Sequence, residues 1–255
     1  MPLQIEQFIC RSDNYGVLVH DPASGETLVV DAPEEAAIRA AVERTGWPPT
    51  TLLVTHHHAD HVEANLALKR AYGLRIVGPE KEASKIPGID DTVEDGSSIP
   101  FAGQTIAVIE TPGHTAGHVC YVLPEAGVAF TADTLFAMGC GRLFEKPAAA
   151  MFESLARLAA LPPETVVYCG HEYTLSNARF ALSVDPENAA LRRRAEEIER
   201  LRAQGLMTLP TTIGLELATN PFLRADDPAI RRKLGMENAA DVEVFAELRR
   251  RKDNF

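Results

Sequence analysis

Short apolar runs rich in β-branched residues punctuate the first two-thirds of the chain. They fall at 28–31 (LVVD), 52–55 (LLVT), 75–78 (RIVG), 106–110 (IAVIE), 119–123 (VCYVL), 128–133 (VAFTAD) and 166–170 (VVYCG). Each is bounded by Gly, Pro or Asp, the pattern of buried strands. Between them, 33–44, 63–72 and 147–161 carry helical patterns, the first two ending at Gly46 and Gly73 and the third stopping before Pro162-Pro163. Strands interleaved with helices predict α/β layers, with helices covering a sheet. After Tyr173 the strand pattern fades. Helices are predicted over 175–184, 187–204, 213–218, 228–233 and 239–252, with breaks at Asp185-Pro186, Gly205, Asn220-Pro221 and Gly235. The change of class divides the chain into an α/β domain, 1–173, and a helical domain, 174–255. No Gly/Ser-rich linker separates them, so the helical part is expected to pack on the rest. There is no internal repeat or low-complexity segment.

Composition narrows the function classes. The 255 residues are 45% hydrophobic and 24% charged, with no apolar run near the roughly 18 residues of a membrane span. The first residues show no export signal, and the four scattered cysteines (Cys10, Cys120, Cys140, Cys169) form no CxxC pair. A cytoplasmic monomer without membrane association is the expectation. The net charge of −11 argues against nucleic acid as a partner. It is unevenly spread: 11 basic against 23 acidic residues through Tyr173, but 14 against 13 beyond it. The C-terminal third gathers Arg192-Arg193-Arg194, Arg231-Arg232-Lys233 and Arg249-Arg250-Arg251-Lys252, most simply read as solvated helix faces.

The densest chemistry is Thr55-His56-His57-His58-Ala59-Asp60-His61, where a predicted buried strand runs into a loop before a helix. Open α/β sheets place ligand sites beyond the carboxyl ends of their strands. Side chains alternate in extended chain, so His56 and His58 point one way and His57 another. Asp60 and His61 follow as the chain turns. The pattern therefore offers two ligand sets for two neighbouring cations. His114, Asp133 and His171, each at a strand end or a loop beside one, complete them. A carboxylate can bridge two cations where an imidazole cannot, so Asp133 is the bridge. One metal is assigned to His56, His58, His114 and Asp133, the other to Asp60, His61, His171 and Asp133. His57 and His118 are read as supporting or packing residues, and His20 as a surface residue. Neither Cys140 nor Cys169 has an evident base to make it a nucleophile.

In this order THHHADH, TPGHTAGH, TAD and CGHEYT resemble the metallo-β-lactamase superfamily. Within it, 169–174 (CGHEYT), 218–224 (ATNPFLR) and the ending 249–255 (RRRKDNF) resemble the glyoxalase II, or hydroxyacylglutathione hydrolase, family over essentially the whole chain. The resemblance implies an αββα sandwich carrying the metals, followed by a C-terminal α-helical domain that helps bind glutathione. It places substrate contacts at Arg142, Phe144, Tyr173, Arg249 and Lys252. Many relatives have Lys and Tyr where Arg142 and Phe144 stand, so one hydroxyl contact is missing here. The implied reaction is hydrolysis of S-(2-hydroxyacyl)glutathione thioesters, such as S-D-lactoylglutathione to glutathione and D-lactate in methylglyoxal detoxification.

The residues suit that chemistry. Two cations about 3.5 to 4 Å apart can share a bridging water and lower its pKa from about 15.7 towards 7. Asp60 is placed to orient the resulting hydroxide. A thiolate of pKa near about 8.5 departs without a strong general acid. An all-His/Asp set suits zinc, iron and manganese alike; zinc comes first on the resemblance. The alternatives weighed are a mononuclear-iron persulfide dioxygenase or another thioesterase of the same fold, a β-lactamase, and a non-catalytic metal-binding protein. The complete second ligand set and the long helical C-terminus count against the first. Lactamases usually place Cys or Ser at the position of Asp133, and closed structural sites favour Cys and His.

Overall fold

A computed structural model of the chain describes residues 2–255. It contains two compact units: one runs to Glu110 and resumes over Ala116–Phe130, and the other comprises Thr111–Thr115 and Thr131–Phe255.

The first unit is built on a six-stranded sheet in sequential order. Strands β1 (Gln4–Cys10), β2 (Asn14–His20) and β3 (Thr27–Val30) are antiparallel neighbours. Helix α1 (Glu35–Thr45) then leads to β4 (Thr51–Leu53), and α2 (Ala59–Val62) and α3 (Asn65–Tyr72) lead to β5 (Arg75–Pro79) and β6 (Asp91–Val93). β3 to β6 run parallel. Alternate residues Leu18, Val29, Leu52 and Ile76 form one core with Ile38, Ala41 and Val42 of α1 and Leu68 of α3. Their neighbours Val19, Leu28, Leu53 and Val77 are buried as well, which explains why these strands read as continuous apolar runs. An antiparallel set follows: β7 (Ser98–Phe101), β8 (Gln104–Glu110), β9 (Val119–Leu123) and the start of β10 (Val128–Ala132). It is tied to β4 by Val119 N–H donating to Thr55 O at 3.0 Å and by the fully buried Tyr121 hydroxyl donating to Val54 O at 2.7 Å.

Two departures from the sequence pattern have local causes. The run LLVT makes a strand only to Leu53, because Thr55 N–H is claimed by the Asp31 carboxylate at 2.8 Å. The helix expected over 63–72 is α3, starting two residues later, and a separate short helix, α2, precedes it. The Ala32 peptide inserts between them, donating to His61 O at 2.8 Å and accepting from Ala64 N at 3.0 Å. The hairpin β1–β2 was not expected from the sequence; β1 buries only Phe8 and Cys10, whereas β2 is buried over Asn14 to Val19.

The second unit begins its main stretch with the last residues of β10. A tight hairpin of β11 (Leu135–Phe136) and β12 (Gly139–Cys140) follows, then α4 (Ala148–Ala159) and β13 (Val166–Cys169). Gly170 N–H donates to Ala132 O at 3.0 Å, holding the ends of β13 and β10 side by side. Beyond lie α5 (Thr174–Val184), α6 (Ala189–Ala203), the two-residue β14 (Thr211–Thr212), α7 (Ile213–Thr219), α8 (Pro228–Leu234) and α9 (Asp241–Asp253). The five helices match the predicted ones to within two residues. β14 pairs with β13 and was not foreseen, since two residues carry no periodicity. Caps fix the helix ends: Asn188 Oδ1 accepts from Ala190 and Leu191 N–H, and Asp227 Oδ1 from Ala229 and Ile230 N–H. Among the described residues no helix is long and apolar enough to cross a membrane.

Tyr121→Phe keeps the ring but orphans Val54 O in the interior. The expected loss is about 1–3 kcal/mol of stability, read as a lower urea midpoint with an unchanged slope.

Candidate functional site

In the first unit the histidine-rich loop emerges from β4, and its side chains alternate as the extended pattern requires. His56 Nε2 and His58 Nδ1 converge to 3.2 Å. His57 turns away, and both its N–H and its Nδ1 lie 2.7 Å from Glu82 Oε2. The second Glu82 oxygen accepts from Gly117 N at 2.9 Å, so one buried carboxylate fixes the loop and a residue of TPGHTAGH.

Asp31, closing β3, sets the tautomers of two histidines. Its Oδ2 accepts from the Thr55 hydroxyl at 2.8 Å and lies 2.8 Å from His61 Nδ1. Having given its only proton to Asp31, the Thr55 oxygen must accept from His56 Nδ1, 3.0 Å away. His56 and His61 thus carry their protons on Nδ1 and present Nε2 lone pairs. Asp60, half-exposed at the start of α2, accepts from Asn14 Nδ2 at 3.2 Å through Oδ2 and at 3.1 Å through its carbonyl. His118 is wholly buried and stacked against His56, ring centroids 4.9 Å apart, which agrees with a packing role. His20 is half-buried and stacked on Trp47 rather than free at the surface.

In the second unit His114, Asp133 and His171 come together, all buried. His114 Nδ1 donates to Arg142 O at 2.9 Å, again leaving an Nε2 lone pair able to hold a cation. His114 Nε2 lies 3.3 Å from Asp133 Oδ2, and His171 Nε2 lies 3.4 Å from Asp133 Oδ1. The two carboxylate oxygens therefore address two different imidazoles, as a bridging carboxylate must. Metal–ligand bonds of about 2.0–2.1 Å in tetrahedral array put ligand atoms about 3.3–3.4 Å apart. Distances and donor chemistry both fit divalent cations.

The residues carried over for glutathione lie in this unit too. Arg142, Phe144 and Tyr173 are exposed, with Phe144 5.1 Å from the His114 ring and Tyr173 stacked on His171 at 4.7 Å. Lys252 is half-buried, donating to Ser176 Oγ at 2.8 Å and its carbonyl at 3.1 Å. Burial, then the neighbouring Arg249 and Arg142 charges, press its ammonium down to about 8, with Asp253 pulling the other way. Arg249 is only 4% exposed; its guanidinium donates to Cys140 O at 2.7 Å and pairs with Asp253 at 2.9 Å. It lies beneath the exposed residues rather than among them. Burial pushes the Cys140 thiol up to about 11 and the Cys169 thiol up to about 12, so neither supplies thiolate at neutral pH.

Asn14, Asp31, Thr55 and Glu82 were not singled out from the sequence. Asp31 had a signal, an acidic residue ending a strand parallel and adjacent to the one that delivers His56. Glu82 had none, since it reaches His57 from 25 residues away.

The comparisons with known proteins agree with this geometry. Residues 11–171 match the metallo-beta-lactamase superfamily, and 172–255 match the hydroxyacylglutathione hydrolase C-terminus. A hydroxyacylglutathione hydrolase from Mesorhizobium japonicum is 68% identical over 255 residues, covering 100% of both chains. Among solved structures, ETHE1 from Myxococcus xanthus is similar with a TM-score of 0.70 at 24% identity, covering 97% of this chain and 90% of that one. TTHA1623 in a di-iron-bound form gives 0.62 at 27% identity, covering 84% and 98%. The fold is α/β, a metallo-β-lactamase-like αββα sandwich with a C-terminal helical segment. The chain belongs to the hydroxyacylglutathione hydrolase family of the metallo-β-lactamase superfamily.

Proposed function

We propose that this protein hydrolyses S-(2-hydroxyacyl)glutathione thioesters, S-D-lactoylglutathione among them, using two divalent cations. The observation that carries the reading is the Asp133 carboxylate, whose two oxygens each face a different histidine. It is supported by family membership over the full chain. The proposed ligands are His56, His58, His114 and Asp133 for one ion and Asp60, His61, His171 and Asp133 for the other. Two within-unit observations support the reading: His56 and His58 converge in the first unit, and His114 and His171 flank Asp133 in the second. Zinc is the proposed metal; the di-iron-bound structural relative keeps iron as the alternative.

Two cations at this position supply hydroxide at neutral pH and an electrophilic pull on the thioester carbonyl. The chain's own residues do the rest. Asp60, steadied by Asn14, accepts a hydrogen bond from the attacking water and orients it. Arg142, Tyr173 and Lys252 hold the glutathione moiety, with Phe144 as an apolar wall and Arg249 adding positive charge from below. The thiolate leaves without a general acid, its conjugate thiol having a pKa near about 8.5. In this division of labour 1–173 is the catalytic domain and 174–255 the glutathione-binding domain. The proposed setting is the cytoplasm, which glutathione keeps reducing, and the four cysteines form no disulfide. A single chain supplies every proposed ligand, which suits a monomer.

Elemental analysis beside thiol release from S-D-lactoylglutathione tests the reading. Two metals per chain with rapid release are expected; one iron, no release and oxygen uptake on glutathione persulfide would overturn it. Asp133→Ala is expected to drop metal content below two per chain and cut turnover by more than the roughly 100-fold seen for residues that merely support ligands. Cys140→Ala and Cys169→Ala are expected to keep wild-type turnover; loss of turnover with metal retained would point to a thiol mechanism.

Lys252 loses its charge above about pH 8, so KM for the glutathione thioester is expected to rise about two- to fivefold between pH 8 and 9, the size of a half-exposed ion pair. Lys252→Arg should flatten that rise, and a rise unchanged in the variant would remove Lys252 from the substrate face. The same depressed pKa means the native state binds fewer protons than the unfolded chain between about 8 and 10.5, so this group's contribution to stability grows with pH across that window.

A further inference from the structure

Between Asp133 and Arg142 the chain makes the β11–β12 hairpin, which touches all three metal-binding candidates of the second unit. Gly141 sits so close to Asp133 that a Cβ there would lie 1.9 Å from the Asp133 carbonyl oxygen, and its N–H donates to Thr134 O at 3.2 Å. Arg142 O accepts from His114 Nδ1. Phe136 meets His171 edge-on, with centroids 6.1 Å apart.

The hairpin is held by side chains of the C-terminal helical segment, residue by residue. Asn220 Nδ2 donates to Phe136 O at 3.2 Å and to Gly139 O at 3.0 Å. Asn177 Nδ2 donates to Ala137 O at 3.1 Å. Met138 N–H donates to Glu216 Oε2 at 2.7 Å, and Arg249 takes Cys140 O. Met138 has φ 53, a left-handed conformation that a non-glycine residue keeps only when its surroundings enforce it, and its side chain is buried in the core of α5 and α6. Gly139 leaves room for Asn177: a Cβ there would lie 2.4 Å from Asn177 Nδ2.

Glu216 is the hub. It is fully buried on α7. Oε1 accepts from Arg194 at 2.6 Å and Thr211 at 2.7 Å, and Oε2 from Met138 N and, at 2.9 Å, Asn220 Nδ2. Four donors on one desolvated carboxylate fix its position, and through Met138 and Asn220 they fix the hairpin turn.

We propose that Glu216, with Asn220, is a positioning residue for the metal centre: the helical segment sets the geometry of His114, Asp133 and His171 through the hairpin backbone, in addition to any contact it makes with substrate. This rests on the reading of those three residues as ligands. Supporting groups around metal ligands typically change affinity about 10- to 100-fold when removed.

The test is zinc affinity of the full-length chain by competition with a chelating dye, measured beside thermal melting. Glu216→Gln and Asn220→Ala are each expected to weaken zinc binding about tenfold or more. Asp185→Asn, which breaks a buried pair with Arg224 in the same helical segment and does not touch the hairpin, serves as the control for stability alone. It is expected to lower the melting temperature while keeping wild-type zinc affinity. Should Glu216→Gln fail to fold, Asn220→Ala decides, because it leaves the carboxylate with Arg194, Thr211 and Met138 N. Folded variants that hold zinc like the wild type, or an equal loss in Asp185→Asn, would overturn the positioning role. A wild-type chain that binds no zinc or iron would instead overturn the ligand assignment on which the inference rests.

Discussion

A histidine ligates a cation through the nitrogen that carries no proton, so the proposed centre depends first on where the Nδ1 protons go. Here three of them are placed by groups that are not themselves proposed ligands. Asp31 takes the His61 proton and, through the Thr55 hydroxyl, orders that of His56; the Arg142 carbonyl takes that of His114. Without these acceptors the imidazoles would be free to rotate or to exchange tautomers, and burying so many polar rings would be costly. Asp31 has φ 55, so the strand β3 ends in a strained conformation at the residue that aims its carboxylate at both partners. The same turn sends the Ala32 peptide into the break between α2 and α3. The geometry of the proposed ligands and the interruption of a helix therefore have one origin.

That dependence on backbone explains which parts of the site were legible in the sequence. The proposed ligands stood out, because four donors within six positions after an apolar strand is a local pattern, and because Asp133 and His171 each close such a strand. The alternation of His56 and His58 against His57 also followed from extended geometry alone. The supports did not. Glu82, Asn14 and Glu216 act across long stretches of chain, each in part on backbone groups that any residue could have presented. Nothing in a local window marks a glutamate on a short helix as the acceptor for an N–H 78 residues earlier.

The fold shows the same split. Parallel strands buried on both faces stood out as apolar runs, and the C-terminal helices were bounded by their own Gly and Pro breaks. What escaped were the β1–β2 hairpin, the short strands β6 and β7, the two-residue β14 and the β11–β12 hairpin. The hairpin is held less by its own short ladder than by Asn177, Asn220, Glu216 and Arg249, none of them near it in sequence. A pattern reading sees propensity, and here the backbone is shaped by side chains arriving from elsewhere.

Arg249 and Lys252 show how one basic run can place its charges in different environments. The sequence pattern offers Arg249 and Lys252 as equivalent cations one helical turn apart on α9, yet they stand in different environments. Arg249 spends its donors on the Cys140 carbonyl and on Asp253, and its planar guanidinium lies 5.2 Å over Phe222. It is a strut whose charge is felt by Lys252. Lys252 has its pKa depressed first by burial and then by two neighbouring guanidinium groups, a charge crowding that an anionic ligand would relieve. Placing a carboxylate of glutathione there favours the protonated lysine, so above about pH 8 binding and protonation are linked and ligand capture draws a proton with it. On the proposed function, an acidic protein would thereby keep a cationic foothold for an anionic substrate, assembled from one buried arginine that shapes the field and one lysine open to the ligand.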